Sequence, residues 1–399
     1  MSFQQGLSGL NASSRNLDVI GHNIANANTI GMKASRSEFS EVYASSAGVV
    51  GGVNVGLGVE VGSVSQEFSQ GNLTLTGNDL DIAINGSGFY QLTSTDGTTA
   101  YTRAGTFKLD SSGNIVDNAG SKLMGYQTDS VGNRLSSTLT ALQLPTAQPI
   151  PAKQSTKVSG LFSLDATAPV AATATPPTPI TTYGSAVTAY DAQGIEVPVG
   201  IYFSKTANNT WDVYTSVNGG APTVLSSITF GADGSLTSST TLPPLTVTSQ
   251  NGSFPITIDL AGTNQLNSRF TVSDLSQDGY VAGQLTGVKI GTNGVITATY
   301  SNGQTQAAGQ IALVNFRNPQ GLSPSSSSYW TETFASGQPI VGAPGDGLFG
   351  VLRSGTLEES NVDITAELVS MMTAQRAYQA NAQTIKTQDQ VLSTLVSLR

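Results

Sequence analysis

Few residues in this sequence could carry chemistry, and their spacing argues against most of it. Histidine occurs once, at His22, near the end of a helical pattern where capping or packing is the expected role rather than acid–base catalysis. Cysteine is absent, which removes thiolate nucleophiles, disulfides and Cys-ligated metals, and a lone histidine supplies no zinc-type ligand set. No lysine follows a glycine, so the phosphate-cradling Gly-Lys of a P-loop is missing. Gly56-Leu-Gly58-Val-Glu-Val-Gly62 has the wrong spacing for a dinucleotide fingerprint and reads as a flexible or closely packed strand. Asp274-Leu-Ser-Gln-Asp278-Gly279 faintly resembles a calcium loop but lacks the alternating acidic ligands and the closing glutamate, so a capped turn is the better reading. Spacing nominates no carboxylate pair. The expectation is a non-enzyme with no cofactor and no metal.

The background in which these residues sit is equally plain. Charged residues make up 11% of 399, and a net charge of −9 leaves no basic footprint for nucleic acid. Gly, Ser, Thr, Asn and Gln dominate instead, as on extracellular β proteins and self-assembling fibres. No run of some eighteen apolar residues could span a membrane. The opening MSFQQGLSGLNASSRNL has no basic n-region and no continuous apolar core, so any export is expected to proceed without a cleaved Sec signal.

Two ends with matching patterns enclose a different middle. Phe3, Leu7, Leu10, Ser14, Leu17, Gly21 and Ile24 recur at alternating spacings of four and three, as a heptad seam does. Ile364, Leu368, Met371, Gln375, Tyr378, Ala382, Ile385, Asp389, Leu392 and Val396 follow the same rule. The second helix has a start signal, with Ser360 or Asn361 as cap and Asp363 in the first turn. Helices of such similar length are natural partners. Their remaining faces carry Ala, Thr, Ser, Gln and Asn rather than the Glu and Lys of a coiled coil alone in water, so they suit contact with more protein or with a polar channel. A seam interrupted by Ser14, Gly21, Gln375 and Asp389 buries too little to offset backbone entropy of about 1 to 2 kcal/mol per residue. Residues 1 to about 30 and 364–399 are therefore expected to be largely disordered in the free subunit and to become helical only in the polymer, with 34–70 ordering at the same time.

Between the ends the pattern is β throughout. Asn-Gly pairs at 85–86, 218–219, 251–252, 293–294 and 302–303 offer type I′ hairpin turns. Alternating stretches such as Thr210–Val217 and Gly294–Tyr300 lie beside them. Prolines cluster between Pro145 and Pro179, including the low-complexity run 169–179, and mark the rim of an inserted domain. The expected fold class is mainly β with terminal α-helices in a nested multi-domain architecture. Residues 1–33 and 364–399 form the terminal coiled coil, and 34–70 an extended connector. Residues 71–145 and 286–363 make a middle β domain whose two halves pair strands, and 146–285 an inserted outer β-barrel or sandwich.

The helix ends carry a resemblance. Asn26 and Gly31 tolerate the left-handed conformation that ends helices, and Lys33 follows where the dipole favours a cation. The block Asn26-Ala-Asn-Thr29-Ile-Gly31-Met-Lys33 resembles the N-terminal signature of the bacterial flagellar axial proteins, those of rod and hook. Leu357-Glu-Glu-Ser360-Asn361-Val362-Asp363, continuing through Glu367 to Gln375-Arg376-Ala-Tyr378-Gln-Ala-Asn381, resembles the matching C-terminal signature. Leu80–Phe89 and Tyr101-Thr-Arg103-Ala-Gly105-Thr-Phe107 are similar to segments shared by distal rod and hook proteins. Tyr300–Gln304 and Leu313–Leu322 resemble the hook members. Two departures stand out: Met32 replaces a preferred aromatic with equal bulk, and Ser323–Ser328 replaces the usual Gly/Asn turn.

The resemblance implies a structural subunit that self-assembles into a helical homopolymer, the flexible curved tube that serves as a universal joint. That tube transmits torque from the rod and basal body to the filament, encloses the export channel and supports motility. It further implies location in the extracellular hook and unfolded export through the flagellar type III apparatus. The implied neighbours are the distal rod protein, the hook cap protein and the hook–filament junction protein, with no nucleic acid and no membrane insertion. A distal rod or hook-associated protein is the alternative within the family, and an adhesin or phage-tail-like fibre the alternative outside it.

Overall fold

The computed structural model describes residues 2–42, 58–146, 149–173 and 178–397. Gly56 and Leu57 of the glycine-rich stretch, and residues 174–177 of the proline-rich run, lie outside them. The protein is mainly β with a helix near each end. It forms two compact units: Met1–Ala147, Gly287–Ala298 and Thr305–Arg399 make the first, and Gln148–Thr286 with Thr299–Gln304 the second. The segment 286–363 is thus divided, because the tip at 299–304 packs with the second unit rather than the first.

The first unit is laced together by antiparallel pairs between segments far apart in sequence. Leu73–Leu75 pairs with Thr356–Glu358, and Ile82–Asn85 with Val351–Ser354. Phe89–Thr93 lies between Thr99–Thr102 and Leu313–Asn315, and Thr99–Thr102 also pairs with Tyr329–Thr331. Beneath them Phe68 packs edge-to-face with Phe89 and Trp330, which also pair with each other, and Phe316 pairs edge-to-face with Phe89 and Tyr101. Such quadrupole-driven geometry adds about 0.5 to 1.5 kcal/mol per pair beyond area burial.

The second unit has two sheets over one core. Tyr183–Tyr190, Glu196–Ala207, Thr210–Val217 and Thr223–Thr229 run antiparallel in order. The other sheet centres on Lys157–Asp165, which is parallel to Gly252–Asp259 and antiparallel to Thr271–Gln277. Alternating Val, Ile and Phe of both sheets point inward around Phe162, Phe203 and Trp211. The Trp211 indole is buried and donates to Gln265 Oε1 at 3.0 Å, so its one polar group is matched.

Of the five Asn-Gly turns, one has left-handed conformation at both residues, Asn218 and Gly219. At 293–294 and 302–303 glycine alone is left-handed, closing tight turns in which Gly294 N and Gly303 N bond back three residues. Of the stretch 34–70, expected as an extended connector, residues 43–57 lie outside the described residues. The rest contains the antiparallel strands β1 (Ser35–Val42) and β2 (Gly58–Gln66). Glycines and serines obscured the alternation, and cross-strand bonds from Ser63 and Ser65 to Glu38 replace the apolar pairs that normally betray a strand.

Candidate functional site

Helices α1 (Ser2–Ala25) and α2 (Ile364–Ser397) lie side by side and antiparallel: Gly6 meets Ile385, Gly9 meets Asn381, and Asn23 bonds Glu367. Their contact is made of small and polar residues. A Cβ on Gly9 would come 2.8 Å from Asn381 Nδ2, and one on Gly6 would come 3.1 Å from Ile385. Ala12, Ile20, Asn23 and Ala374 are buried, while Met371, Asn381 and Ile385 are half-buried. On α1, Leu10, Leu17 and Ile24 are half-buried too.

The large residues expected in the seam largely face outward. Phe3, Leu7, Ile364, Leu368 and Leu392 are exposed, and Tyr378 is at the margin. Val396 belongs to α2, but its side chain lies outside the described residues. The reason is geometric. A 3.5-residue period fits two adjacent rows of one helix, which share Met371, Tyr378 and Ile385. Of the flanking rows, α1 takes Glu367, Ala374 and Asn381, because glycines let it approach there. Val369, Met372 and Val391 add to the exposed apolar surface.

Where the helices leave the β structure, the two motifs meet. Gly31 has φ +71, and a Cβ there would fall 2.4 Å from Ala104 N, so only glycine fits. Its N–H donates to Glu358 O at 2.9 Å. Lys33 is 1% exposed, and its ammonium donates to Glu358 Oε1 at 2.5 Å and Ser69 O at 2.7 Å. Arg103, 4% exposed, reaches the other oxygen of fully buried Glu358 at 3.2 Å. Burial pulls the Lys33 pKa below its ordinary value; the Glu358 charge and hydrogen bond oppose this, and the Arg103 charge adds to it. Gly71 N is a further donor to Glu358, at 3.0 Å.

Polar side chains finish the junction. Asn361 accepts from Ala34 N at 2.7 Å and donates to Glu67 O at 2.7 Å and Ser69 Oγ at 2.8 Å. Asn23 accepts from Ser35 N and donates to Ser35 O, tying α1 to β1. Ser360 meets the sulfur of buried Met32 at 3.6 Å, and Val362 N donates to the Ser360 hydroxyl. Neither Ser360 nor Asn361 caps α2: Asp363 does, accepting from Thr365 N and Ala366 N at 2.8 and 3.2 Å. Asn361 is already committed to the strands, so the next acceptor in sequence takes the role. At the end of α1, Asn26 donates to His22 O and Thr29 donates to Asn26, the terminal turn expected of a polar cluster. Gln375 and Arg376 are exposed on α2. Ser69 carries no signal in the sequence, and for Arg103 the signal is a charge inside a family-like motif of a chain with 11% charged residues.

Among the described residues no three His, Cys, Asp or Glu cluster as a metal site, and no helix is long and apolar enough to cross a membrane. Asp278 is a turn cap: it accepts from Thr156 N at 2.7 Å, Lys157 N at 2.9 Å and the Thr156 hydroxyl at 2.7 Å.

Comparison with known proteins fits this arrangement. Residues 3–33 match the flagella basal body rod protein model and 353–398 the flagellar basal body rod FlgEFG protein C-terminal model. Residues 83–165 match the flagellar hook protein FlgE/F/G D1 domain and 163–280 the flagellar basal body protein FlaE D2 domain. Flagellar hook protein FlgE of Escherichia coli K12 is 38% identical over 411 residues, covering all of both chains, and that of Salmonella typhimurium is 39% identical over 415. The chain belongs to the flagellar hook protein family. A more distant hook protein, from Treponema pallidum, is 32% identical across all of this chain and 99% of its own. The crystal structure of Helicobacter pylori flagellar hook protein FlgE2 shares the fold, with a TM-score of 0.54 at 16% identity over 70% of this chain and 99% of that one. In this chain Lys33, Arg103 and Glu358 join the segment after α1, the strand region near Thr102 and the strand that precedes α2.

Proposed function

We propose that the chain polymerises as a hook subunit, with α1 and α2 packed as a coiled coil that lines the export channel and the β domains outside it. The assembled tube passes torque from rod to filament while bending. The observation that carries this reading is the exposure of Phe3, Leu7 and Leu392 at one end of the helix pair and of Ile364 and Leu368 at the other, on helices that bury glycine and polar groups against each other. Such a surface becomes stable when neighbouring copies cover it. Gln375 and Arg376 are then lateral contacts, and Lys33, Asn361 and Asp363 keep helix and β structure in a fixed relation while torque is applied.

The reading assigns 1–33 and 364–399 to the terminal domain, 71–145 with 286–363 to a middle β domain, and 146–285 to an outer barrel or sandwich inserted in it. Long-range pairs such as Thr356–Glu358 with Leu73–Leu75 support it. The distal rod, cap and junction proteins and the type III export apparatus are its partners. Deleting 364–399 is expected to leave folded β units that form no tubes in electron micrographs; normal tubes from that truncation overturn the reading. Hydrogen exchange on the free subunit is expected to be fast in both helices and slow in the β units.

A further inference from the structure

The five Asn-Gly pairs share a chemistry that needs no enzyme. The backbone nitrogen of the glycine can attack Cγ of the asparagine before it, unhindered because glycine has no side chain. The new C–N bond closes a succinimide ring, and the side-chain nitrogen leaves as ammonia, taking the proton from the glycine amide. Water then opens the ring at either carbonyl to give aspartate or isoaspartate. Ring closure requires Cγ and the glycine nitrogen to leave their bonded positions, so the fold decides which pair reacts.

Four of the pairs are held. Asn302 donates to Val281 O at 2.6 Å and accepts from Gln304 N at 3.0 Å. Asn293 accepts from Val295 N at 3.2 Å, and a Cβ on the buried Gly294 would lie 2.7 Å from Pro344 Cγ. Asn218 donates to Thr248 O at 2.9 Å. At Asn85 the attacking nitrogen itself is taken: Gly86 N donates to Gln70 Oε1 at 3.0 Å, and Gln70 Nε2 donates to Asn85 Oδ1 at 3.4 Å. Asn251 differs from all of these. Its side chain is exposed and makes no hydrogen bond among the described residues, while its backbone N–H donates to Ser249 Oγ at 3.1 Å. Gly252 is exposed as well, and a Cβ there would meet nothing within 4 Å, so water reaches the pair freely. Ser249 and Gly252 form the last pair of the hairpin made by Leu245–Ser249 and Gly252–Asp259. A terminal pair frays without breaking the ladder below it, and fraying frees the Gly252 nitrogen. We infer that Asn251 is a deamidation site of the folded subunit, converted to aspartate and isoaspartate at the tip of a hairpin in the second unit. The products add a carboxylate there, and isoaspartate also lengthens the main chain of the loop by a carbon.

The test uses the full chain, held folded in mildly alkaline buffer, with each Asn-Gly peptide followed by mass spectrometry after digestion. Asn251 is expected to lose its amide roughly tenfold faster than each of the other four, about the effect of one hydrogen bond on the population of the reactive geometry. In guanidinium chloride the five rates should converge, because the bonds that hold the other four are gone. Another pair reacting first in the folded chain, or all five reacting alike, overturns the inference. Rates that stay equally unequal in denaturant trace the difference to neighbouring sequence rather than to the fold, and overturn it too. Asn251→Ser is expected to abolish the fast phase of ammonia release with unchanged circular dichroism; a fast phase that survives assigns the reaction elsewhere. Isoaspartyl methyltransferase labelling should mark the Asn251 peptide after incubation. Aspartate formed there without isoaspartate means direct hydrolysis of the amide and refutes ring closure by Gly252.

Discussion

The second unit and the pair of terminal helices solve opposite problems with the same alphabet. In the second unit Phe162, Phe203, Trp211 and the aliphatic residues of two sheets are buried against one another. On the helices Phe3, Leu7, Ile364, Leu368, Val369, Met372 and Leu392 are out, while among the described residues Ile20 is the one large apolar side chain buried with glycine, alanine and asparagine. Hydrophobic burial of about 1.5 to 3 kcal/mol per large side chain therefore stabilises the one region within a single chain and is withheld from the other. The second unit keeps its apolar surface inside, and on the proposed assembly the helices leave part of theirs for neighbouring copies.

The contrast predicts where substitutions act. Phe203→Ala empties a fully buried site beside Phe162, 4.8 Å between ring centroids, and is expected to lower the stability of the second unit by about 3 to 5 kcal/mol. Urea titration followed by fluorescence separates the units, because Trp211 lies in the second and Trp330 in the first. A shift of the Trp330 transition equal to that of Trp211 would mean that the units unfold as one.

Glu358→Gln tests the root of the helices in the same experiment. Removing the carboxylate leaves Lys33 and Arg103 buried without their anion, and breaking such a pair costs about 3 to 5 kcal/mol. Side-chain volume is kept, so lost packing cannot explain the result. The loss should appear in the Trp330 transition alone. An unchanged Trp330 midpoint refutes the clamp.

Leu368→Ser is expected to move neither transition by more than about 0.5 kcal/mol, since Leu368 is exposed in the single chain. Polymerisation followed by light scattering should nevertheless fall sharply. A variant that polymerises normally removes the helices from the comparison as the assembling region.

Much of this division was legible in the sequence, and the failures share a cause. The β middle, the terminal helices and the paired motifs follow from alternation, heptad spacing and the ends of the chain. The contact between the helices lies beside the apolar heptad rather than on it, because Gly6 and Gly9 allow the close approach and glycine adds nothing to an apolar pattern. β1 and β2 show no apolar alternation because Ser63 and Ser65 pair with Glu38 through hydroxyls. The Lys33–Glu358 pair spans 325 positions, and no periodicity reaches that far. Charge scarcity does: both residues sit inside the paired motifs of a chain with few charges.

The remaining effect is one of pH, and it belongs to the self-contained region. Burial would raise the pKa of Asp278, but the backbone N–H groups of Lys157 and Thr156, the Thr156 hydroxyl and the Lys153 charge together outweigh it and bring it down to about 2. A carboxylate with a depressed pKa in the folded state binds protons less readily there than in the unfolded chain. Its contribution is therefore complete above the unfolded value of 3.8 and is lost as pH falls through about 2. The Trp211 transition should weaken across that window. In Asp278→Asn the amide keeps an acceptor for Thr156 and Lys157 but does not titrate, so the variant starts weaker at neutral pH and its difference from the unsubstituted chain shrinks toward pH 2. The Trp330 transition should show no such convergence, because none of these donors lies in the first unit. A difference that stays constant from pH 5 to pH 2 assigns the Asp278 contribution to shape rather than charge, and makes the turn a packing device.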